Sequence, residues 1–147
     1  MPAPVLPQHL SYVKSIVAKG GPDPEEFDSH RAWYDELNWQ IREGLVTAQQ
    51  RDQLRVAFGD AYSVATIQGY VCKWPLGYPG DFRIIEKIYN FTVSSEPRLQ
   101  KYDLFFHDQL APQAVRNRKT YFQQLVLEIS QRIAGPIRVL NLASGPC

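Results

Sequence analysis

An excess of either charge is missing from this chain. Its 147 residues carry 16 Lys+Arg against 15 Asp+Glu, a formal net charge of +1. That balance offers no global field for nucleic acid or an anionic membrane. Cysteine is scarce: Cys72 and Cys147 make neither a CxxC pair nor a disulfide framework. A reducing, cytoplasmic setting is therefore expected. No apolar run approaches the ~20 residues that a bilayer span needs. The opening Met1-Pro2-Ala3-Pro4 lacks the basic-then-apolar pattern of a secretory leader. There is no internal repeat and no low-complexity tract. His9, His30 and His107 are scattered without ligand spacing, which reads as core or surface histidines and gives no metal site. No Ser–His–Asp arrangement or phosphate loop can be argued. Basic residues do not interleave with aromatics as a single-strand nucleic-acid binder requires.

What is present is aromatic and helical. Hydrophobic residues make up 44% and aromatics 12%, with 8 Tyr, 7 Phe and 3 Trp. A chain of this length can bury roughly 70% of its unfolded surface in one domain. The aromatics favour a well-filled core or an apolar pocket. Leu10, Val13, Ile16 and Val17 recur at helical spacing from Pro7 to about Lys19. Gly20-Gly21-Pro22 ends that helix, so residues 1–22 read as an N-terminal arm. Asp23-Pro24-Glu25-Glu26 is a start signal, with Asp23 as cap and Glu26 closing a capping box. The helix it opens stops near Gly44. Thr47 and Gln50 form another capping box, ahead of a long helix expected to run to about Trp74. Gly59 and Gly69 interrupt that helix at about 1 kcal/mol each relative to Ala, marking a bend or a close helix–helix approach. Cys72 reads as a small buried hydrophobe.

One loop stands out, Trp74-Pro75-Leu76-Gly77-Tyr78-Pro79-Gly80-Asp81. Pro75 disfavours continuation of the helix. Pro79-Gly80 suits the centre of a type II turn. Asp81 can cap a helix from Phe82 to Phe91 that is apolar over much of its circumference. Ser94-Ser95-Glu96-Pro97 starts a further helix to about Gln109. Ala111-Pro112 opens the last one, to about Ala134, with Ala114, Val115, Arg118, Tyr121, Phe122, Leu125, Ile129 and Ile133 sharing a face. Gly135-Pro136 stops it. The expected fold is mainly α: about six helices in an irregular bundle. Residues 23–135 form the helical cap or substrate unit. Residues 136–147 begin a cofactor-binding unit.

That last unit reads Ile137-Arg138-Val139-Leu140-Asn141-Leu142-Ala143-Ser144-Gly145-Pro146-Cys147. An apolar run entering a turn of small residues reads as a buried strand followed by a tight loop. In open α/β sheets such a loop lies where a nucleotide-like cofactor binds. An ordinary strand-to-loop turn has the same spacing. A lone strand must pair with sheet beyond Cys147, pair with another chain, or lose its strand form.

The segment Val139 to Cys147 resembles the first motif of class I S-adenosylmethionine-dependent methyltransferases. Asn141 stands at the usual acid's place. Ala143 and Cys147 stand at the outer glycines, and Gly145 keeps the middle one. Gly77-Tyr78-Pro79-Gly80-Asp81 and Ala111-Pro112-Gln113-Ala114-Val115-Arg116-Asn117-Arg118 are similar to stretches of the subgroup assigned to 3-hydroxypalmitate methyl ester biosynthesis. The resemblance covers about residues 70–147. It implies the first strand of a truncated Rossmann-like domain and methyl transfer from S-adenosylmethionine, with Ala143, Ser144, Gly145 and Pro146 lining the donor. It also implies that the helices cover a small or lipid-like acceptor, such as a hydroxy fatty acid carboxylate. Tyr78, Asp81, Arg83, Arg118 and Tyr121 are then candidates for binding that substrate, since Arg suits bidentate grip of a carboxylate. Arg116-Asn117-Arg118-Lys119 also reads as a solvated helix face, and Gly77 to Asp81 as a turn plus cap. With most of the cofactor unit beyond Cys147, little or no activity is expected of these residues alone. A different class is a stand-alone helical module that dimerises or binds an acyl chain without catalysis. A helical regulatory domain on nucleic acid is the third reading, and the net charge argues against it.

Overall fold

A computed structural model describes residues 5–79 and 81–140. Seven α-helices and three short 3-10 turns make up the described chain, with no strand among its residues. Helix α1 spans Val5–Ala18. It is not an arm set apart from the later helices. Val13 and Ile16 are buried in the main core with Leu37, Leu54 and Phe58, and α1 packs on helix α3, Ala48–Phe58.

Helix α2, Phe27–Arg42, comes after a 3-10 turn at Pro24–Glu26. The Glu26 carboxylate accepts from the Asp23 N–H at 2.8 Å, which satisfies one orphan donor of the helix start. Glu26 also pairs with Lys19, and Asp23 with Lys101 at 2.6 Å. The Lys partners hold both carboxyls below the usual carboxylate range. The Thr47 box closes as its spacing predicts: Thr47 Oγ1 accepts from Gln50 N–H at 3.2 Å, and Gln50 Oε1 from Thr47 N–H at 2.8 Å.

The long helix expected from Thr47 to Trp74 is broken. Helix α3 ends at Phe58, a 3-10 turn takes Gly59–Tyr62, and helix α4 runs Ile67–Lys73. Gly59 has φ +55° and ψ −126°, a conformation that glycine reaches at little cost. Gly69 does the opposite job. A Cβ there would lie 1.9 Å from the Ser63 carbonyl oxygen, so its bare Cα lets α4 fold back onto the preceding turn. Thr66 caps α4, accepting from the Gly69 N–H at 3.0 Å and donating to the Ala61 carbonyl at 2.7 Å.

Helix α5 spans Phe82–Tyr89, α6 Gln100–Asp108 and α7 Leu110–Arg132. Tyr70, Ile84 and Ile88 form a second core, packed by Val71, Phe106 and Val115. Helix α6 joins the two cores. Tyr102 lies in the first, and Phe106 packs against the second. Asp103, one residue after Tyr102 and 1% exposed, accepts from Ile67 N–H and Ser94 N–H, each at 2.7 Å. One carboxylate thereby ties the start of α4 to the loop before α6.

At the end of the chain the shared face of α7 is left uncovered at Tyr121, Phe122, Leu125, Ile129 and Ile133, which are exposed. Among the described residues, the first part of α7 is the part that packs, through Val115 and Pro112. Ile137 to Leu140 carry no strand ladder, because no described segment lies alongside to receive their N–H groups. Asn141 to Cys147 lie outside the described residues.

Candidate functional site

The site is a cleft of about 650 Å³ walled by α2, α3, the 59–62 turn, α4, α6 and the start of α7. Its position depends on the break at Gly59. An unbroken helix would carry Tyr62 and Cys72 away along a single axis. The return at Gly59 and the close approach at Gly69 bring both against α2.

The floor is aromatic. His30, Tyr34, Phe58, Tyr62, Tyr102 and Phe105 all line it. His30 meets Phe105 edge-on at 4.7 Å, and Tyr34 stacks parallel to Phe58 with centroids 6.5 Å apart. These separations fall in the range of favourable aromatic pairs. The hydroxyls of Tyr34 and Tyr62 lie 3.4 Å apart. Burial raises both phenols above their ordinary range, Tyr34 the further, with the neighbouring Tyr62 adding to it. Burial also pushes Tyr102 up to about 12. The floor therefore offers neutral O–H groups at any physiological pH.

His30 is 1% exposed, and its Nδ1 lies 2.8 Å from the Tyr12 hydroxyl. Burial lowers its pKa to about 4, with Lys19 adding to the lowering and Glu26 opposing it. The ring is neutral at pH 7. Its nitrogen-to-hydroxyl contact faces α1, on the core side of the cleft.

The rim is polar. Arg31 bonds Asp28 at 2.7 Å and Asp108 at 2.9 Å, so its charge is engaged. Arg55 has only a loose pairing with Asp52 at 3.9 Å, which leaves it the freer cation of the rim. Cys72 is exposed on this rim, contrary to its reading as a buried hydrophobe. It sits near the end of α4, where Trp74 turns left-handed ahead of Pro75 (φ 47°). Its Sγ receives the Gln68 amide at 3.4 Å. A donor there cannot act as a base toward the thiol. The cleft thus sets an aromatic floor beneath a rim that carries both charges and polar side chains.

The described residues singled out from sequence for substrate binding lie outside this cleft. Tyr78 is exposed in the loop after α4. Asp81 is fully buried, where its Oδ1 caps α5 by accepting from Arg83 N–H at 2.9 Å and Ile84 N–H at 3.3 Å. Its Oδ2 and the Tyr70 hydroxyl are buried close to one another and, among the described residues, neither makes a hydrogen bond of regular geometry. Tyr70 is raised above the ordinary phenol range by burial and then by the Asp81 charge. The Arg83 guanidinium lies 6.0 Å from the centroid of the Phe82 ring. Arg118 and Tyr121 are exposed on α7. Arg116, two residues earlier, is turned inward instead and half-buried. It donates to His107 Nδ1 at 3.2 Å and to the His107 carbonyl at 2.7 Å. Ala143, Ser144, Gly145 and Pro146 lie outside the described residues, as does Gly80.

The cleft residues carried no shared sequence signal, because they come from several elements at unrelated spacings. Among the described residues no cluster of three or more His, Cys, Asp or Glu could hold a metal ion. No described helix is long and apolar enough to cross a membrane. No protein-family model matches the chain, and no curated protein or solved structure matches it either.

Proposed function

We propose that these helices are the acceptor-binding part of an S-adenosylmethionine-dependent methyltransferase, with the cleft taking a small or lipid-like carboxylate. The observation that carries the reading is the cleft itself, with its aromatic floor, neutral phenols and one loosely paired rim arginine, Arg55. A concave pocket of several hundred Å³ with aromatic walls is a common form of small-molecule site, and here Arg31, Asp35, Asn38, Arg55, Gln68 and Gln109 supply its polar groups. An acyl body would lie against Phe58, Phe105 and Phe106, and a carboxylate would reach Arg55. A carboxylate is already nucleophilic at pH 7. The protein need only position it and exclude water. The methyl donor is expected on Ala143 to Pro146, outside the described residues, on the strength of the motif resemblance. What S-adenosylmethionine supplies when bound is an activated methyl group.

Titration calorimetry with 3-hydroxypalmitate tests the acceptor half. Cys72→Trp should fill the mouth of the cleft without touching the core and weaken binding at least tenfold. Arg55→Gln should weaken a carboxylate more than its alcohol analogue. Binding indifferent to both changes would remove the cleft from the reading.

A second reading has its own support. The exposed apolar face of α7 suits a helical module that dimerises or binds ligand without catalysis. Sedimentation over a hundredfold range of concentration tests dimerisation, and a mass that stays monomeric counts against it.

A further inference from the structure

The loop between α4 and α5 bears an unusual surface. Trp74 is 48% exposed, Leu76 39%, Tyr78 47% and Phe82 46%. Four large apolar side chains thus stand in solvent within nine positions. Backbone geometry holds part of the loop in this form. Trp74 adopts a left-handed conformation at the end of α4, and the Gly77 N–H donates to the Trp74 carbonyl at 2.7 Å, with Gly77 at φ +84°.

The charges of the loop are one-sided. Between Lys73 and Ile85 the charged residues are Lys73, Asp81 and Arg83. Asp81 is buried beneath the start of α5, while Lys73 and Arg83 are exposed. The surface the loop shows is therefore aromatic and cationic. Phe82 and Arg83 also line a shallow groove of about 600 Å³ with Val64, Pro75 and Lys87, with Glu86 as its one acid. Val64 adds a further exposed apolar side chain at 52%. The apolar face of α7 is cationic too, with exposed Arg118, Lys119 and Arg132 against Glu128, but it offers no Trp, whereas the loop sets Trp74 and Tyr78 beside its cations.

We propose that the loop carrying Trp74, Leu76, Tyr78 and Phe82 docks on the surface of an anionic lipid bilayer. Trp and Tyr favour the headgroup region, where the ring body is apolar and the polar tip stays wet. Apolar side chains entering the acyl boundary supply binding area, and cations beside them gain from the negative surface potential. Lys73 and Arg83 provide those cations. The docking is peripheral and reversible. It rests on the loop alone and stands whether or not the cleft takes an acceptor.

Flotation of the chain with vesicles tests it, using phosphatidylcholine alone and phosphatidylcholine with about 30% phosphatidylglycerol, enough to set a negative surface potential. The expected result is binding to the anionic vesicles at low salt, little to the neutral ones, and a marked loss as salt rises. A blue shift of tryptophan fluorescence on binding should vanish in Trp74→Phe, which leaves Trp33 and Trp39 as silent controls. Trp74→Ala with Tyr78→Ala should reduce partitioning at least tenfold. Lys73→Glu with Arg83→Glu should do the same. Far-UV circular dichroism checks that the helices persist. Phe122→Ala with Leu125→Ala on α7 should leave partitioning unchanged. Failure to bind anionic vesicles at low salt overturns the proposal. So does binding that the loop variants spare and the α7 variants remove. Calorimetry of the soluble acceptor reads the cleft separately, so the two ideas can fail independently.

Discussion

His30 and Asp103 show how much of this fold depends on single buried polar groups. His30 titrates at about 4 in the folded chain and near its ordinary 6.5 when unfolded. The unfolded state therefore takes up the proton first as pH falls. The stability associated with neutral His30 is complete above 6.5 and is lost progressively down to about 4. The shift corresponds to about 3 kcal/mol. Urea midpoints measured from about pH 7.5 to 4.5, the window in which the two states differ in protonation, should fall steeply for the native chain and less steeply for His30→Gln. Asp103 makes a different demand. Its two oxygens serve two backbone N–H groups from distant segments. Asp103→Ala leaves both donors buried and unpaired and should cost about 3 kcal/mol in urea unfolding. Asp103→Asn keeps one acceptor and should cost less.

At the scale of elements, two glycines in one expected helix have opposite roles. Helix propensity alone says that Gly→Ala gains about 1 kcal/mol at either site. Gly69→Ala should instead destabilise by more than about 3 kcal/mol, because the new methyl meets the Ser63 carbonyl at 1.9 Å. Gly59→Ala has open space around the new atom and is penalised only for its backbone, whose φ +55° with ψ −126° lies outside the left-handed well, by about 1 to 3 kcal/mol. Thermal melts of the two variants separate collision from backbone strain. Equal losses would mean that α4 does not sit this close. The capping boxes are simpler. Thr47→Ala should cost about 1 kcal/mol, since the bonds of Thr47 to Gln50 are local.

For the whole molecule the question is whether two small cores behave as one. Helix α6 contributes to both, and Asp103 bolts the region between them. Leu99→Ala in the first core and Ile88→Ala in the second should each cost about 2–5 kcal/mol. Both should shift a single cooperative transition followed by circular dichroism and by fluorescence. Two separated transitions would show that the cores unfold independently. The cleft lies beside the same helix, so a ligand bound there should raise that single transition in proportion to the logarithm of its concentration.

Most of the helices were legible because their signals are local. Thr47 with Gln50, Asp81 before Phe82, and Pro112 in the first turn of α7 act within three or four residues, and such bonds form wherever the chain later packs. Gly59 and Gly69 were visible as interruptions, but their meaning was not. Whether a glycine bends a helix or admits a neighbour depends on what lies across from it. The apolar side of α7 illustrates the same limit. Periodicity says that a face exists, and only packing decides that Val115 is covered while Phe122 and Leu125 are not. The resemblance carried by Gly77 to Asp81 and by the stretch up to Pro146 is a statement about motifs, and it brought no wall of the cleft with it. Composition and local pattern alone determined a helical chain rich in aromatics, with its caps and its one conspicuous loop. Tertiary structure decided the cleft, the neutral histidine and the buried Asp103, because each is made by groups far apart in sequence whose meeting depends on helices closing around a shared core.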